Sequence, residues 1–358
     1  MFQNLTQLLS QITPINPNYL EKAQKHLDNL TKPVGSLGRL EEFAAKLFAI
    51  YQGKFPIQVD PALHILAAGD HGVCIEGVAQ NPQEVTHLMI LNILKGGAGI
   101  SVLAKQYNMD MVLLDAGHKG ICPDDPRARK INTLEETGNI AKENAMSLEL
   151  CEKLILEGAN TVYNASQKGY HIFSIGEMGI GNTTPATALF AKYFNLDPAK
   201  ITGPGAGLNA ERVLHKAKII QQAIERHNEQ KEDSALAILA SLGGFEIATL
   251  CGVVLGAAAL KYPVIIDGFI STSAYAAAYC IHNAVKDYAF LSHASAEPGY
   301  QTIIEKLQKK PMLDLSMRLG EGTGSALALG LLRSAQTIYN EMATFEDANI
   351  ETDTYHTK

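Results

Sequence analysis

Glu321 stands between two glycines in Gly320-Glu321-Gly322-Thr323-Gly324, directly before a helical pattern. A carboxylate on an open, glycine-lined loop can serve as a general base. The same placement suits an acid that complements the positive end of the following helix, worth roughly 0.3–1 kcal/mol. The residue alone does not separate the two. A second cluster is Gly176-Glu177-Met178-Gly179-Ile180-Gly181-Asn182-Thr183-Thr184. Its glycines let backbone approach a ligand closely. A helix is expected to start near Thr184-Pro185-Ala186, with Thr184 as N-cap and Pro185 at the first helical position. Its free N–H groups suit a phosphate, although a plain strand-to-helix turn explains the same residues. Gly203-Pro204-Gly205-Ala206-Gly207 is either a second nest of amides or a turn. Lys216, on the next expected helix, can add a point charge if it is not solvated.

Other chemistries lack their patterns. His71, His118 and His293 with Asp70, Asp115 and Asp267 include no H-x-x-x-H or H-E-x-x-H pair and lie on different loops, so no metal is expected. There is no G-x-S-x-G elbow for a hydrolase. No Gly-Lys-Ser/Thr follows the glycine loop, and no dinucleotide fingerprint has an acid about 20 residues on. A nucleotide-dependent oxidoreductase is therefore disfavoured. A non-catalytic protein that senses a nucleotide or base stays open.

These residues need a scaffold that gathers them. Short apolar runs recur at Leu63–Ala67, Met111–Leu114, Ile172–Ile175, Val264–Ile266 and Ala289–Leu291, with a weaker run near Ile201. Runs apolar on both faces, separated by helical patterns, predict a doubly wound α/β fold with a mainly parallel sheet flanked by helices. Each run ends in small, polar or acidic residues: Ala68-Gly69-Asp70-His71-Gly72, Asp115-Ala116-Gly117-His118, the Glu177 loop, the Gly203 turn, Asp267-Gly268-Phe269, and Ser292-His293-Ala294-Ser295-Ala296-Glu297. Ligands of such sheets bind beyond the carboxyl ends of the strands, so these loops are expected at one edge.

Residues 1 to about 55 read as helices, with Leu5, Leu8, Leu9 and Ile12 on one face and Leu40, Phe43, Ala44 and Leu47 on another. The break at Lys32-Pro33-Val34-Gly35-Ser36-Leu37-Gly38 precedes a helix started by Ser36 or Gly38. Ser325 to about Met342 is helical again, and 346–358 is polar and expected to fray. The expected division is a small helical domain, 1–58 with 331–358, and an α/β catalytic domain, 59–330. At 358 residues the chain exceeds the usual single domain, and 46% hydrophobic composition supports a large core.

The net charge of −7, without a basic run, argues against nucleic acid. Any anionic ligand needs a local site. Five cysteines without C-x-x-C spacing read as reduced and mostly buried in a cytoplasmic protein. The N-terminus lacks a signal-peptide pattern. Ile247–Leu260 is too short to span a membrane and reads as a buried helix.

The motifs together resemble one family. Lys32-Pro33 with Gly35-Ser36-Leu37-Gly38-Arg39-Leu40-Glu41, Asp70-His71-Gly72-Val73, Glu76-Gly77-Val78, Gly176-Glu177-Met178-Gly179, Asn182-Thr183-Thr184-Pro185-Ala186, Gly243-Gly244-Phe245, Asp267-Gly268-Phe269 and Arg318-Leu319-Gly320-Glu321-Gly322 are similar, in order and over nearly the whole chain, to the nicotinate-nucleotide–dimethylbenzimidazole phosphoribosyltransferases. The resemblance implies transfer of phosphoribose from nicotinate mononucleotide to 5,6-dimethylbenzimidazole. The products would be nicotinate and α-ribazole 5′-phosphate, for the lower ligand of cobalamin. It implies a homodimer that needs no metal or cofactor, with Glu321 as base and Glu177 near the ribose or ring. The loop Gly179, Gly181, Asn182 and Thr183 would hold the 5′-phosphate with Gly203, Gly205 and Lys216. Met178 and Leu319 would flank the acids, with Asp267, Ser292 and Gly320 as further contacts. At Asn81 and Met89 the chain departs from relatives that carry serine and glutamine. Another benzimidazole, adenine or a phenol thus stays open as acceptor.

Overall fold

The computed structural model describes residues 1–351. Six strands form one parallel sheet: β1 (Ala62–Ala68), β2 (Asp110–Asp115), β3 (Ala128–Lys130), β4 (Ile172–Met178), β5 (Val264–Ile266) and β6 (Ala289–Leu291). Their order is β3-β2-β1-β4-β5-β6, and every pair is parallel. The order reverses between β1 and β4, which is the switch point where doubly wound sheets bind ligands. Every residue of β1 and β4 is buried, so both faces of the central pair are covered. This matches their mostly apolar runs, interrupted by His64 and Ser174.

The helices are α1 (Leu5–Ser10), α2 (Pro17–Asp28), α3 (Arg39–Ile50), α4 (Glu84–Leu94), α5 (Gly99–Gln106), α6 (Leu148–Ser166), α7 (Thr183–Phe194), α8 (Pro198–Ile201), α9 (Ala210–Glu229), α10 (Ala235–Leu242), α11 (Phe245–Ala259), α12 (Phe269–Ile281), α13 (Tyr300–Lys306) and α14 (Thr323–Glu341). The apolar stretch Ile247–Leu260 falls almost wholly in α11, all of whose residues are buried, packed on α6, β1 and β4. The apolar run Glu84–Gln106 has the length and composition of a span. It is broken into α4 and α5 around Gly96, whose φ is 86°.

Several expectations are corrected. The run near Ile201 is α8, not a strand: Asp197 caps it by accepting the Ala199 N–H, and Pro198 opens it. The missing strand is β3, Ala-Arg-Lys, a short polar edge strand without an apolar signal. Helix α7 starts at Thr183, so Thr184 and Pro185 lie inside its first turn, and Asn182 occupies the cap position without a capping bond. Of the cysteines only Cys151 and Cys251 are buried; Cys74 and Cys122 are half-buried and Cys280 is exposed. Helix α3 begins after Gly38 and packs on α2 and α14, whereas α1 packs on α6 and α11. The chain ends meet where Leu30 bridges Thr344, and the Phe345 N–H donates to Asn29. Residues 344–350 form a bonded turn rather than a frayed end, with the Ile350 N–H on the Phe345 carbonyl. The rest of the segment expected to fray, 352–358, lies outside the described residues.

Candidate active site

Gly320, Glu321 and Gly322 all adopt left-handed backbone, with φ of 87°, 63° and 97°. For Glu321 this is an unfavourable conformation that surrounding contacts must impose. Three adjacent strands supply them. From β1, His64 Nε2 donates to the Glu321 carbonyl at 3.0 Å, while His64 Nδ1 lies 2.7 Å from Ser174 Oγ. A carbonyl only accepts, so Nε2 carries the proton and Nδ1 accepts from the serine. Burial lowers His64 to about 4, which keeps the ring neutral and fits that tautomer. From β4, the Glu177 carboxyl accepts the Glu321 N–H. Just past β5, Asp267 Oδ2 accepts the Gly322 N–H at 3.0 Å and Oδ1 the Ser325 N–H at 3.1 Å. Side chains cannot replace the flanking glycines: a Cβ on Gly320 would meet Glu177 Oε1, and one on Gly322 would enter the His64 ring.

Glu321 is only 5% exposed. Its Oε2 accepts the Ile100 N–H at 3.2 Å, at the first turn of α5. Burial raises its pKa, the Ile100 and Gly99 amides oppose the rise, and the Asp267 charge adds to it. The carboxylate thus complements a helix N-terminus, but that of α5 rather than α14, the helix it precedes. It is also made more basic than an ordinary glutamate.

Glu177 is buried beside it. Burial, then the Asp267 charge, push its pKa up to about 8, against the opposing bond from Asn182. It is therefore mostly protonated near neutrality and can donate to a hydroxyl. The Asn182 amide donates to Glu177 Oε2. That commitment explains why Asn182 does not cap α7, whose N-terminus has no side-chain cap.

These groups border a cavity of about 290 Å³. Val85, Met89, Met178, Ile180, Phe269, Ile270 and Leu319 supply apolar wall, and Glu177, Glu321, His293, Glu297 and Arg318 supply polar groups. An annex of about 80 Å³ shares Gly179, Asn182, Thr183 and Gly205 with it. Lys216 closes the annex. It is buried, and its Nζ donates to Thr183 Oγ1 at 2.6 Å and to the Gly203 carbonyl at 3.3 Å. Burial lowers it to about 8, with Glu297 opposing.

Of the residues singled out in the sequence, Asn81, Met89, Glu177, Met178, Gly179, Asn182, Thr183, Gly205, Leu319, Gly320 and Glu321 line the cavity. Gly181 and Lys216 line the annex. Gly203 lines neither and meets Lys216 through its carbonyl. Asp267 and Ser292 also stay outside the lining: Asp267 holds the Glu321 loop, and Ser292 Oγ is 3.1 Å from His293 Nδ1. His293, Ser295 and Glu297 sit on a loop already marked as a strand end, yet were not assigned. Val85, one turn before Met89 on α4, was legible from helical spacing. Phe269, Ile270 and Arg318 carried no spacing signal.

The remaining histidines serve separate partners. His71 Nε2 is 2.9 Å from Glu246, and His118 Nδ1 is 2.9 Å from Asp115. Among the described residues no group of three or more His, Cys, Asp or Glu side chains converges on one point.

The DBI_PRT family model, described as Phosphoribosyltransferase, matches residues 12–350. The chain is 50% identical over 353 residues to a nicotinate-nucleotide–dimethylbenzimidazole phosphoribosyltransferase of Nitratidesulfovibrio vulgaris (strain DP4), covering 98% of this chain and 99% of the relative. It is 43% identical over 350 residues to the protein of that name from Chlorobaculum tepidum, covering 98% and 99%. The crystal structure of CobT from Thermus thermophilus superposes with a TM-score of 0.89 at 37% identity, covering 94% of this chain and 99% of that one. With residues 12–350 matched by the family model and a named relative 50% identical over nearly the whole length, the chain belongs to the DBI_PRT phosphoribosyltransferase family.

Proposed function

We propose that this protein transfers the 5-phosphoribosyl group of nicotinate mononucleotide to 5,6-dimethylbenzimidazole, giving nicotinate and α-ribazole 5′-phosphate for the cobalamin lower ligand. The observation that carries this is the joining of two spaces: a cavity walled by apolar side chains and edged by Glu321 and Glu177, and an annex closed by Lys216 at the α7 N-terminus. A flat base suits the first and a phosphate the second. The names of the relatives support the same pair of substrates.

In this reading the nicotinate ring leaves as a neutral base, because its nitrogen is already cationic and takes the C1′–N electron pair. One acceptor nitrogen forms the new bond to C1′. The proton on the other nitrogen passes to Glu321, whose raised basicity suits that role. Protonated Glu177 donates to a ribose hydroxyl without placing a second full charge beside Glu321. Met89 and Asn81, with Val85 one turn from Met89, border the acceptor space.

Incubation with nicotinate mononucleotide and a panel of benzimidazoles, adenine and phenols, read by mass spectrometry, tests the reaction and ranks the acceptors. No ribosylated product from any base would sink it. Glu321→Gln should lower turnover by about 10²–10⁴ with the fold retained; near-normal turnover would remove Glu321 from the base role.

The protein is further proposed to be a cytoplasmic homodimer that engages neither nucleic acid nor membrane. The acidic net charge without a basic run speaks against nucleic acid, and the exposed Leu88 and Val102 on α4 and α5 offer apolar surface to a second copy. Light scattering on a sizing column tests the dimer, and cell fractionation the location. Residues 1–58 with 331–358 are proposed as a small helical domain, supported by the packing of α2 on α3 and of α3 on α14; limited proteolysis would cut near residue 58 if so.

A further inference from the structure

The wall and the annex are joined by one buried hydroxyl. Thr86 lies on α4, next to Val85, and is fully buried. Its Oγ1 donates to Asp70 Oδ1 at 2.6 Å. The Ile180 N–H, in the glycine loop between β4 and α7, donates to the same Oγ1 at 3.1 Å. Asp70 Oδ2 in turn accepts the Lys119 N–H at 2.9 Å. Each hydrogen has only one place to go, because the carboxylate accepts only and the hydroxyl has one proton. The Asp70 turn also braces both sides. The Gln83 amide, at the start of α4, donates to the His71 carbonyl at 2.8 Å. The Gly69 N–H donates to the Met178 carbonyl at 3.0 Å, and Gly179 lies directly against the Gly69 carbonyl.

We propose that Thr86 is a positioning residue that couples the two subsites: through its hydroxyl, the Asp70 turn sets both the α4 wall that meets the acceptor base and the Gly179–Gly181 loop that meets the donor phosphate. The inference rests on the functional reading above, since it assigns those two subsites to acceptor and donor. It gives the Asp70-His71-Gly72 segment a task, although neither Asp70 nor Thr86 lines the cavity.

The test is steady-state kinetics with nicotinate mononucleotide and the best acceptor on Thr86→Val and Thr86→Ser. Valine keeps the shape and removes the hydroxyl, so the Ile180 N–H loses its acceptor. KM for both substrates should rise about tenfold each, the equivalent of about 1.4 kcal/mol and the size of one buried hydrogen bond. Serine restores the hydroxyl and should return both values to within about threefold of wild type, inside the spread expected for one such bond. A purely structural threonine would lower the thermal midpoint and leave both KM values alone. Unchanged KM values in folded Thr86→Val, a rise for only one substrate, or failure of serine to restore both overturns the proposal. Should Thr86→Val not fold, Asp70→Ala removes the acceptor of the Thr86 hydroxyl and carries the same expectation. Calorimetry with inorganic phosphate reads the loop without turnover. A wild type that binds phosphate, with affinity lost in Thr86→Val, but forms no product would overturn the functional reading and not the loop's dependence on Thr86.

Discussion

Gly176→Ala places one methyl group where the Gly320–Gly322 loop presses on the sheet. Gly176 lies on β4, and the loop backbone crosses it. A Cβ there would stand 2.6 Å from the Glu321 carbonyl carbon and 2.7 Å from the Gly322 nitrogen. Carbon atoms in ordinary contact are about 3.5–4.0 Å apart, so one partner must retreat by about 1 Å. Neither is a flexible side-chain tip. The strand is held on both sides, by β1 and β5, so the Gly320–Gly322 loop is the part that moves. Its displacement strains the bonds from His64, Glu177 and Asp267 and shifts the Glu321 carboxylate from its place at Ile100. Overpacking of this kind destabilises by about 1–3 kcal/mol. A misplacement of about 1 Å in a reacting group can lower the rate about 10²-fold. Expected, then, is a folded protein with a modestly lower unfolding midpoint and kcat down about 10²-fold, while donor KM moves less than about threefold because the Lys216 annex is untouched. Calorimetric melting and initial rates of ribazole phosphate formation measure both. A kcat within about threefold of wild type would refute the view that the Gly176 contact fixes the base.

Two further predictions follow from the buried charges. Glu177 has an ordinary pKa of 4.5 and is raised to about 8 in the folded protein, so the folded state keeps a proton that the unfolded chain gives up between those values. Its stabilising contribution is full below about 4.5 and is lost as pH rises through about 8. The melting midpoint should fall over that window, and Glu177→Gln, always neutral, should flatten the fall; an unchanged slope in the variant would contradict the assignment. Lys216→Met should raise donor KM about 10–100-fold, the loss of a hydrogen bond to a charged group of about 1.5–3 kcal/mol, with acceptor KM little changed. Equal rises for both substrates would remove Lys216 from the phosphate annex.

Much of the scaffold was legible in the residues. Mostly apolar runs marked β1, β2, β4, β5 and β6 because strands covered on both faces need apolar side chains at most positions; His64 in β1 and Ser174 in β4 break the pattern and pair with each other. The edge strand β3 escaped because it is short and polar, and the run near Ile201 misled because four residues of Pro-Ala-Lys-Ile carry no period that separates helix from strand. Asp267 and Ser292 end strands, a property shared by residues that face a ligand and residues that brace a neighbouring loop, and Asp267 braces the Glu321 loop.

The sequence by itself determined the layered parallel sheet, the gathering of glycine and acidic loops beyond its strand ends, and the family, since local pattern and motif order are properties of the chain. Only the tertiary structure decided what each acid touches and how strongly it holds a proton. His64 meets Glu321 across 257 positions of sequence, and the Ile100 amide reaches its carboxylate across 221. Burial and neighbouring charge set the proton affinities of Glu177, Glu321 and Lys216, and neither is written in local spacing. Local sequence places Glu321 between two glycines; three strands and a helix end hold it beside a cavity.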